Sequence, residues 1–313
     1  TFAYIFYSRL PKSDIILRNW EVEMLILLAD AFTPDLPERL AEFGEVTSDM
    51  SRIPEAEVLI VRSKTRLDRA MLDKAARCRY IVRGGVGLDT IDAEYARSKG
   101  IIVDNTPEAS SIAVAELAFA FMIAMPNHLV RADISMKEGK WLKKELERNE
   151  LYGKTLGLIG IGRIGRELAL RAKAFGMSVI AFDKYVLSSD IVKIVSFEEI
   201  LACSDYISLH IPLIDETRGM IDASAISRMK NGVYLINTCR GQVVIEEDIA
   251  DALKSGKIAG YATDVYSKEP PEGSPLFEAP NVLMTPHIGA STEENLLRLA
   301  DCIVGRLRKY VGR

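Results

Sequence analysis

Residues 155–183 read TLGLIGIGRIGRELALRAKAFGMSVIAFD. An apolar run ending in LGLIG meets glycines spaced GxGxxG at Gly160, Gly162 and Gly165, and a segment of helical period follows at once. A second apolar run, MSVIAF, then ends at Asp183. Strand, tight turn, helix and strand make a parallel βαβ unit. The glycine triplet alone is a weak signal; its place between a strand and a helix is what carries chemistry. Without Cβ atoms the backbone can turn sharply, approach a pyrophosphate and pack the helix on the strand, with the helix N-terminus facing the anion. A carboxylate at Asp183 accepts hydrogen bonds from adenosine ribose hydroxyls and repels a 2′-phosphate, so the stretch predicts a dinucleotide site that prefers NAD to NADP. The competing reading is a packing turn with a solvated aspartate, and Lys184 beside Asp183 is a cation that would soften the discrimination.

The same rhythm runs outward in both directions. From about residue 21 the chain alternates VEMLILLA, PDLPERLAEF, AEVLIVRS, LDRAMLDKAA, RYIVRGG, TIDAEYARSK and GIIVDN. Between about 108 and 148 helical pattern continues without a strand; the alternation resumes at Lys154 and runs on beyond Asp183 through DYISLHI, VYLINT, IAGYATDV and NVLMTP. Ser291 followed by Glu294 has capping-box spacing, and Leu296, Leu297, Leu299, Ala300, Ile303, Val304 and Leu307 predict one apolar face of a closing helix. The expected architecture is α/β, with two Rossmann-like, doubly wound parallel-sheet domains and an interdomain cleft.

Composition narrows the function. The 313 residues carry 40 Lys plus Arg against 44 Asp plus Glu, a formal charge of −4, so no general affinity for nucleic acid or an anionic membrane is expected. With 48% apolar and 27% charged residues the chain can bury a substantial core. Cys78, Cys203, Cys239 and Cys302 stand far apart without a CxxC pair, which predicts neither a disulfide framework nor a metal site and suits a reducing, cytoplasmic setting. The opening TFAYIFYSRLPKSD lacks a basic region and a cleavage pattern, so it does not read as a secretory signal. The longest apolar run, Ile112 to Met125, contains Glu116 and predicts a buried helix rather than a membrane span.

Three histidines exist. His128, just past Pro126, reads as structural, and His210, ending DYISLH, as structural or adenine-side. His287 follows NVLMTP and precedes Gly289-Ala290-Ser291, an exposed, backbone-rich place suited to chemistry. Hydride exchange with a 2-oxo acid requires a cation to grip the carboxylate, an acid for the developing alkoxide, and a partner that keeps that acid charged. Arg240, after VYLINTC, offers a planar guanidinium for a bidentate grip; Glu269, after AGYATDV, offers a carboxylate to raise and orient the His287 imidazole. Singly each reads as a surface charge. Together they fall after strands, at the carboxyl ends where α/β proteins build ligand sites.

Four strings in order, GLIGIGRIGRELALRAKAFGMSVIAFD, NTCRGQVV, DVYSKEPPEGSPL and TPHIGAST, resemble the D-isomer-specific 2-hydroxyacid dehydrogenase family, and the resemblance runs from about residue 22 to the end. Within it, VRSKT at 61–65, RGGVGLDTID at 83–92, MKEGKW at 136–141 and PHIGASTEE at 286–294 are most similar to the D-3-phosphoglycerate dehydrogenases, in a short form without a regulatory domain. The resemblance implies Arg240 as carboxylate binder, Glu269 as partner and His287 as acid and base. It places cofactor contacts on Val86, Arg163, Ile164, Asp183, Ile211, Thr238, Asp264 and Ala290, beside the three glycines. It implies a discontinuous substrate-binding domain, 1–101 with 288–313, around a NAD-binding Rossmann domain, 102–287, and a homodimer through the helices near 108–148. Arg62 and Arg83 would bind a 3-phosphate, while the N–H groups of Gly84 to Gly87, Gly85 included, join Arg240 on the carboxylate. Cys239 stands where a small Ala or Ser is usual, and Val86 where Thr is frequent.

The expected reaction is NAD-dependent oxidation of 3-phospho-D-glycerate to 3-phosphohydroxypyruvate, the opening step of serine synthesis. A glyoxylate or hydroxypyruvate reductase would use the same three residues on an unphosphorylated acid. Formate dehydrogenase fits less well, because glutamine there pairs with the histidine that Glu269 faces here. A NAD-sensing corepressor-like scaffold is the alternative from another class.

Overall fold

The structure, a computed structural model, describes residues 24–312. The opening segment and the first two residues of VEMLILLA lie outside them. The chain divides into two compact units, one comprising the described residues through Ser110 with Ser291 onward, the other Ser111–Ala290.

The first unit is a parallel sheet built from β1 (Met24–Leu28), β2 (Gly44–Thr47), β3 (Val58–Val61), β4 (Tyr80–Arg83) and β5 (Ile102–Asn105), in the order β2-β1-β3-β4-β5. Short helices α1 (Leu36–Leu40), α2 (Arg69–Lys74) and α3 (Ala93–Ser98) join the strands. The strands are apolar without interruption because both faces are covered. Leu25, Leu27, Leu59, Val61 and Ile81 face one core; Met24, Ile26, Val58, Ile60 and Val82 face the other. The second core is completed by α10 (Glu293–Val311), whose Ala300, Ile303, Val304 and Leu307 pack there, the fully buried Ile303 and Leu307 contributing about 1.5–3 kcal/mol each.

Two expectations shift. The helix is capped by Thr292, whose Oγ1 accepts from the Asn295 amide at 3.1 Å, one residue later than the Ser291 spacing suggested. That phase turns Asn295 into the core and leaves Leu297 49% exposed, off the apolar stripe. The boundaries expected at 101/102 and 287/288 also move. β5 pairs with β4, Tyr80 opposite Ile102, so its residues belong to the first sheet, while the amides of Ile288 and Gly289 are bonded to Asp264 of the second unit.

The second unit contains α4 (Ser111–Ala124), α5 (Leu129–Lys137), β6 (Thr155–Ile159), α6 (Arg163–Ala174), β7 (Ser178–Phe182), β8 (Lys193–Ile194), α7 (Phe197–Cys203), β9 (Tyr206–Leu209), α8 (Ala223–Arg228), β10 (Val233–Asn237), α9 (Glu246–Lys254), β11 (Ile258–Thr263) and β12 (Val282–Met284). Its seven strands are parallel in the order β12-β11-β10-β9-β6-β7-β8. The chain runs outward from β6 in one direction and resumes at β9 in the other, so a switch point opens between these two strands. One core lies around α7, α8 and α9, the other beneath α4 and α6. No single helix among the described residues is long and apolar enough to cross a membrane; α4 and α5 meet that test only as a pair bent by 64°, and α4 is largely buried.

Candidate active site

The three glycines after β6 are required for three different reasons. Gly160 has φ +97°, and a Cβ on it would stand 2.4 Å from the carbonyl oxygen of His210, across the switch point at the end of β9. A Cβ on Gly165 would stand 2.4 Å from the Gly160 carbonyl, so α6 rests directly on the turn. Gly162, the N-cap of α6, faces open space. A bare backbone at a helix N-terminus with room before it is the place a pyrophosphate occupies. Nearby, the Thr238 hydroxyl and Nδ1 of His210 are enclosed without a protein partner among the described residues, at strand ends where a polar ligand would meet them. These features fit a dinucleotide.

Asp183 follows β7. Its Oδ2 accepts from the Ile161 amide at 3.0 Å, and its Oδ1 accepts from the amides of Tyr185 and Val186 at 2.9 and 3.1 Å. The carboxylate is thereby fixed beside the glycine turn. Lys184 does not stand free to attract a 2′-phosphate, because its ammonium pairs with Glu216. Arg163 and Ile164 open α6, and Ile211 follows the strand-end His210. Burial pushes the His210 imidazole down to about 4 and Ser208 bonds its Nε2 at 2.9 Å, so it is neutral near pH 7 and poorly suited to proton transfer.

The proton-handling group assembles on the next strands. Asn237, fully buried at the end of β10, accepts from the Cys239 amide at 3.1 Å and donates to the Arg240 carbonyl at 3.0 Å, which shapes the turn carrying Arg240. Arg240 Nη1 donates to the Cys239 carbonyl at 2.6 Å. Burial pushes the Cys239 thiol up, so it stays protonated at neutral pH. A Cβ on Gly241 would lie 1.8 Å from the Tyr266 carbonyl carbon. The segment bearing Arg240 and the segment bearing Glu269 therefore cross backbone to backbone there.

His287 has φ +51°, a left-handed conformation uncommon for a residue with a Cβ. Asp264, 2% exposed, holds that bend. Its Oδ1 accepts from the Thr285 hydroxyl at 2.6 Å and the Ile288 amide at 2.7 Å, and its Oδ2 from the Gly289 amide at 2.7 Å. Expected as a cofactor contact, Asp264 also holds the loop that presents His287, with two of these bonds on Oδ1 and one on Oδ2. Tyr266 adds a bond from its hydroxyl to the Thr285 carbonyl at 2.8 Å.

His287 Nδ1 and Glu269 Oε2 are 2.8 Å apart. The hydrogen bond and charge of Glu269 raise the imidazole pKa against the opposing effects of burial and Arg240. Burial raises Glu269, but the hydrogen bond and charge of His287, the Tyr266 amide and Arg240 outweigh it and leave the carboxyl below its ordinary range. An ionised Glu269 can only accept, so Nδ1 carries the proton and Nε2 is the atom left for a substrate. All three residues predicted to act together are electrostatically coupled in one unit.

In the first unit, Arg62 follows β3 and Arg83 ends the adjacent β4, with Val61 opposite Arg83 in the ladder. Asp30 shapes the turn after β3 by accepting from the amides of Arg62 and Thr65 at 2.5 and 3.1 Å. Gly85 has φ +137°, and the Arg83 guanidinium folds over the space its Cβ would fill. The expected role of the glycine amides is corrected here. Gly84 donates to the Val61 carbonyl and Gly85 to the Thr106 hydroxyl, each at 2.8 Å, leaving Val86 and Gly87 as the other amides of that turn. Val86 is 40% exposed.

Residues 119–289 match the family model for the D-isomer specific 2-hydroxyacid dehydrogenase, NAD binding domain. A hydroxypyruvate reductase of Thermotoga maritima is 44% identical over 279 residues, 86% of this chain and 91% of the relative. The chain belongs to the D-isomer specific 2-hydroxyacid dehydrogenases. A D-3-phosphoglycerate dehydrogenase of Methanocaldococcus jannaschii is 41% identical over 299 residues, 91% of this chain but 57% of that relative, so the chain spans little more than half its length. Among solved structures, D-lactate dehydrogenase from Aquifex aeolicus, complexed with NAD and lactic acid, superposes with a TM-score of 0.80 at 32% identity, covering 92% of this chain and 95% of that one. The glycine turn, Asp183 and the open face of Gly162 lie within this dehydrogenase's NAD-binding domain.

Asn237, Gly241 and the bend-holding role of Asp264 escape a reading of the sequence. Gly241 leaves one faint signal, a glycine next to the arginine; Asn237 leaves none.

Proposed function

We propose that this dehydrogenase oxidises 3-phospho-D-glycerate to 3-phosphohydroxypyruvate, with Arg240, Glu269 and His287 at the reacting carbon. The observation that carries the chemistry is the 2.8 Å bond between His287 Nδ1 and Glu269, formed with Arg240 close enough for its charge to act on both. When bound, NAD supplies the hydride acceptor. Arg240 holds the substrate carboxylate and orients C2. The hydroxyl proton passes to Nε2 of His287, and Glu269 stabilises the resulting imidazolium through Nδ1. In the reverse direction Nε2 returns that proton to the alkoxide.

The phosphate assignment is supported by Arg62 and Arg83, two cations at neighbouring strand ends of one parallel sheet. Exposed Lys64 and Arg66 follow Arg62 and read as solvated charges. Arg62→Ala should raise KM for phosphoglycerate about tenfold or more, the effect of losing one charged hydrogen bond to a phosphate, and leave KM for hydroxypyruvate within about twofold. Equal losses on both acids would sink the phosphate reading. The Thermotoga maritima relative, matched over 91% of its length, favours hydroxypyruvate reduction as a second reading, and the ratio of kcat/KM on the two acids decides between them.

We also propose a homodimer. Leu129, Val130, Ile134 and Met136 of α5 and the following Trp141 are each at least 50% exposed, an apolar surface suited to a second copy. Light scattering should give twice the 34.7 kDa chain mass, and Ile134→Asp should halve it. A wild-type monomer at micromolar concentration would dismiss the assembly.

A further inference from the structure

Glu246 begins α9 and is 5% exposed, yet nothing in the chemistry above requires it. Its Oε1 accepts from the Ser267 amide at 2.7 Å, and its Oε2 from the Ser274 hydroxyl at 2.6 Å. Ser274 also caps the short 3₁₀ turn Pro275–Phe277 by accepting from the Leu276 amide at 3.3 Å. One enclosed carboxyl group therefore pins both ends of the segment 267–274, and Glu269 lies inside it. From the other side, Gln242 donates to the Ser267 carbonyl at 2.7 Å. Ser267 is thus tied by its amide and its carbonyl to the stretch just after Arg240.

Inside the segment the Glu269 carboxylate also accepts from the Tyr266 amide at 3.3 Å, and the Glu272 and Ser274 amides donate to the carbonyls of Pro270 and Pro271, bonds local to the loop itself. Ser267, Lys268, Glu269, Glu272 and Gly273 are exposed, and Lys268 pairs with Glu272 within the segment itself. An exposed loop without buried apolar contacts belongs to the low-stability end of a fold. A hydrogen bond from His287 to Glu269 needs that loop held to within a few tenths of an ångström.

We propose that Glu246 is a positioning residue for the His287–Glu269 pair: clasping Ser267 and Ser274, it keeps Glu269 at bonding distance from the imidazole. The proposal rests on the functional reading of that pair. The groups acting electrostatically on His287 are Glu269, Asp264 and Arg240. Asp264 is fixed by Thr285, Ile288 and Gly289, and the Arg240 turn by Asn237, so opening the clasp removes Glu269 from the set and leaves the other two. The clasp works by hydrogen-bond geometry. A glutamine in place of Glu246 can accept from the Ser267 amide and donate to the Ser274 oxygen, whereas an alanine can do neither.

With three histidines in the chain, the His287 ring signal is separable by NMR titration, a readout independent of turnover. The full chain is compared with Glu246→Ala, Glu246→Gln and Ser274→Ala, taking Glu269→Gln as the reference for a lost partner. Glu246→Ala should move the His287 midpoint downward most of the way to the reference, Ser274→Ala should move it less, and Glu246→Gln should leave it near wild type. In hydroxypyruvate reduction, which requires protonated His287, the alkaline limb of kcat/KM should move down with the midpoint. Glu246→Gln should keep activity within about threefold, and Glu246→Ala should lose about tenfold or more. An unmoved midpoint in folded Glu246→Ala overturns the proposal, as does a Glu246→Gln protein as impaired as the alanine variant; if the alanine variant does not fold, Ser274→Ala decides. Should His287→Ala retain turnover, the functional reading fails while the titration still judges the clasp.

Discussion

Replacing Glu269 by Gln keeps the side-chain shape and removes its charge. In the native pair Oε2 lies 2.8 Å from Nδ1, with the Glu269 and His287 side chains 41% and 51% exposed. Coulomb's law at that separation gives ~6 kcal/mol at an effective dielectric of ~20 and ~1.5 kcal/mol at that of water. Half-exposed groups sit toward the watery end, so the carboxylate stabilises imidazolium by roughly 1.5–3 kcal/mol. His287 becomes imidazolium as the hydroxyl proton leaves, and full proton transfer in the transition state translates that energy into a loss of roughly 10- to 150-fold in kcat. Because Glu269 raises the imidazole, its removal also shifts the rising limb of the oxidation profile to lower pH. The assay is NADH formation at saturating substrate across pH 5–10, roughly the range where histidine and its neighbours titrate. A variant within about twofold of wild type at its plateau, with an unshifted limb, refutes the assignment of Glu269.

The same pair sets a stability window. His287 is raised above its ordinary 6.5 in the folded chain, so its contribution is complete below 6.5 and is lost as pH rises through the folded pKa. Glu269 is lowered from 4.5, so its contribution is complete above 4.5 and is lost as pH falls through the folded pKa. The melting temperatures of wild type and Glu269→Gln should differ most between 4.5 and 6.5 and converge on either side.

Two further outcomes follow from the second unit. Asp183→Ser removes the carboxylate expected to meet the ribose and takes the shared acceptor from the Ile161, Tyr185 and Val186 amides, so KM for NAD should rise about tenfold while discrimination against NADP falls; a variant that still rejects NADP locates the selectivity elsewhere. Ile245 occupies the N-cap of α9 in extended conformation and offers no capping bond, so Ile245→Asp should stabilise the protein by about 1 kcal/mol, read as a rise of about 2–4 °C in Tm, provided the Asp oxygen reaches the first-turn amides. No gain, or a fall, would mean that the contact of Ile245 beside Gly219 outweighs the cap.

What the sequence determined by itself is the part whose physics is local. Strand period, a glycine triplet and a carboxylate eighteen residues beyond it lie within one βαβ unit, so residues 155–183 declare both the sheet and the dinucleotide. Arg240, Glu269 and His287 were legible because each follows a strand, and parallel strands bring their carboxyl ends together whatever the loops do. Tertiary structure decided the rest. The amides of Gly84 and Gly85 look available until Val61 and Thr106 approach and take them. Asp264 reads as a ligand contact from its place after a strand, and only the returning chain adds Thr285, Ile288 and Gly289 as further partners of its carboxylate. Ser267 and Ser274 meet Glu246 across twenty or more residues of intervening chain. A buried polar group takes whichever partner the completed fold delivers, and no local pattern records that choice.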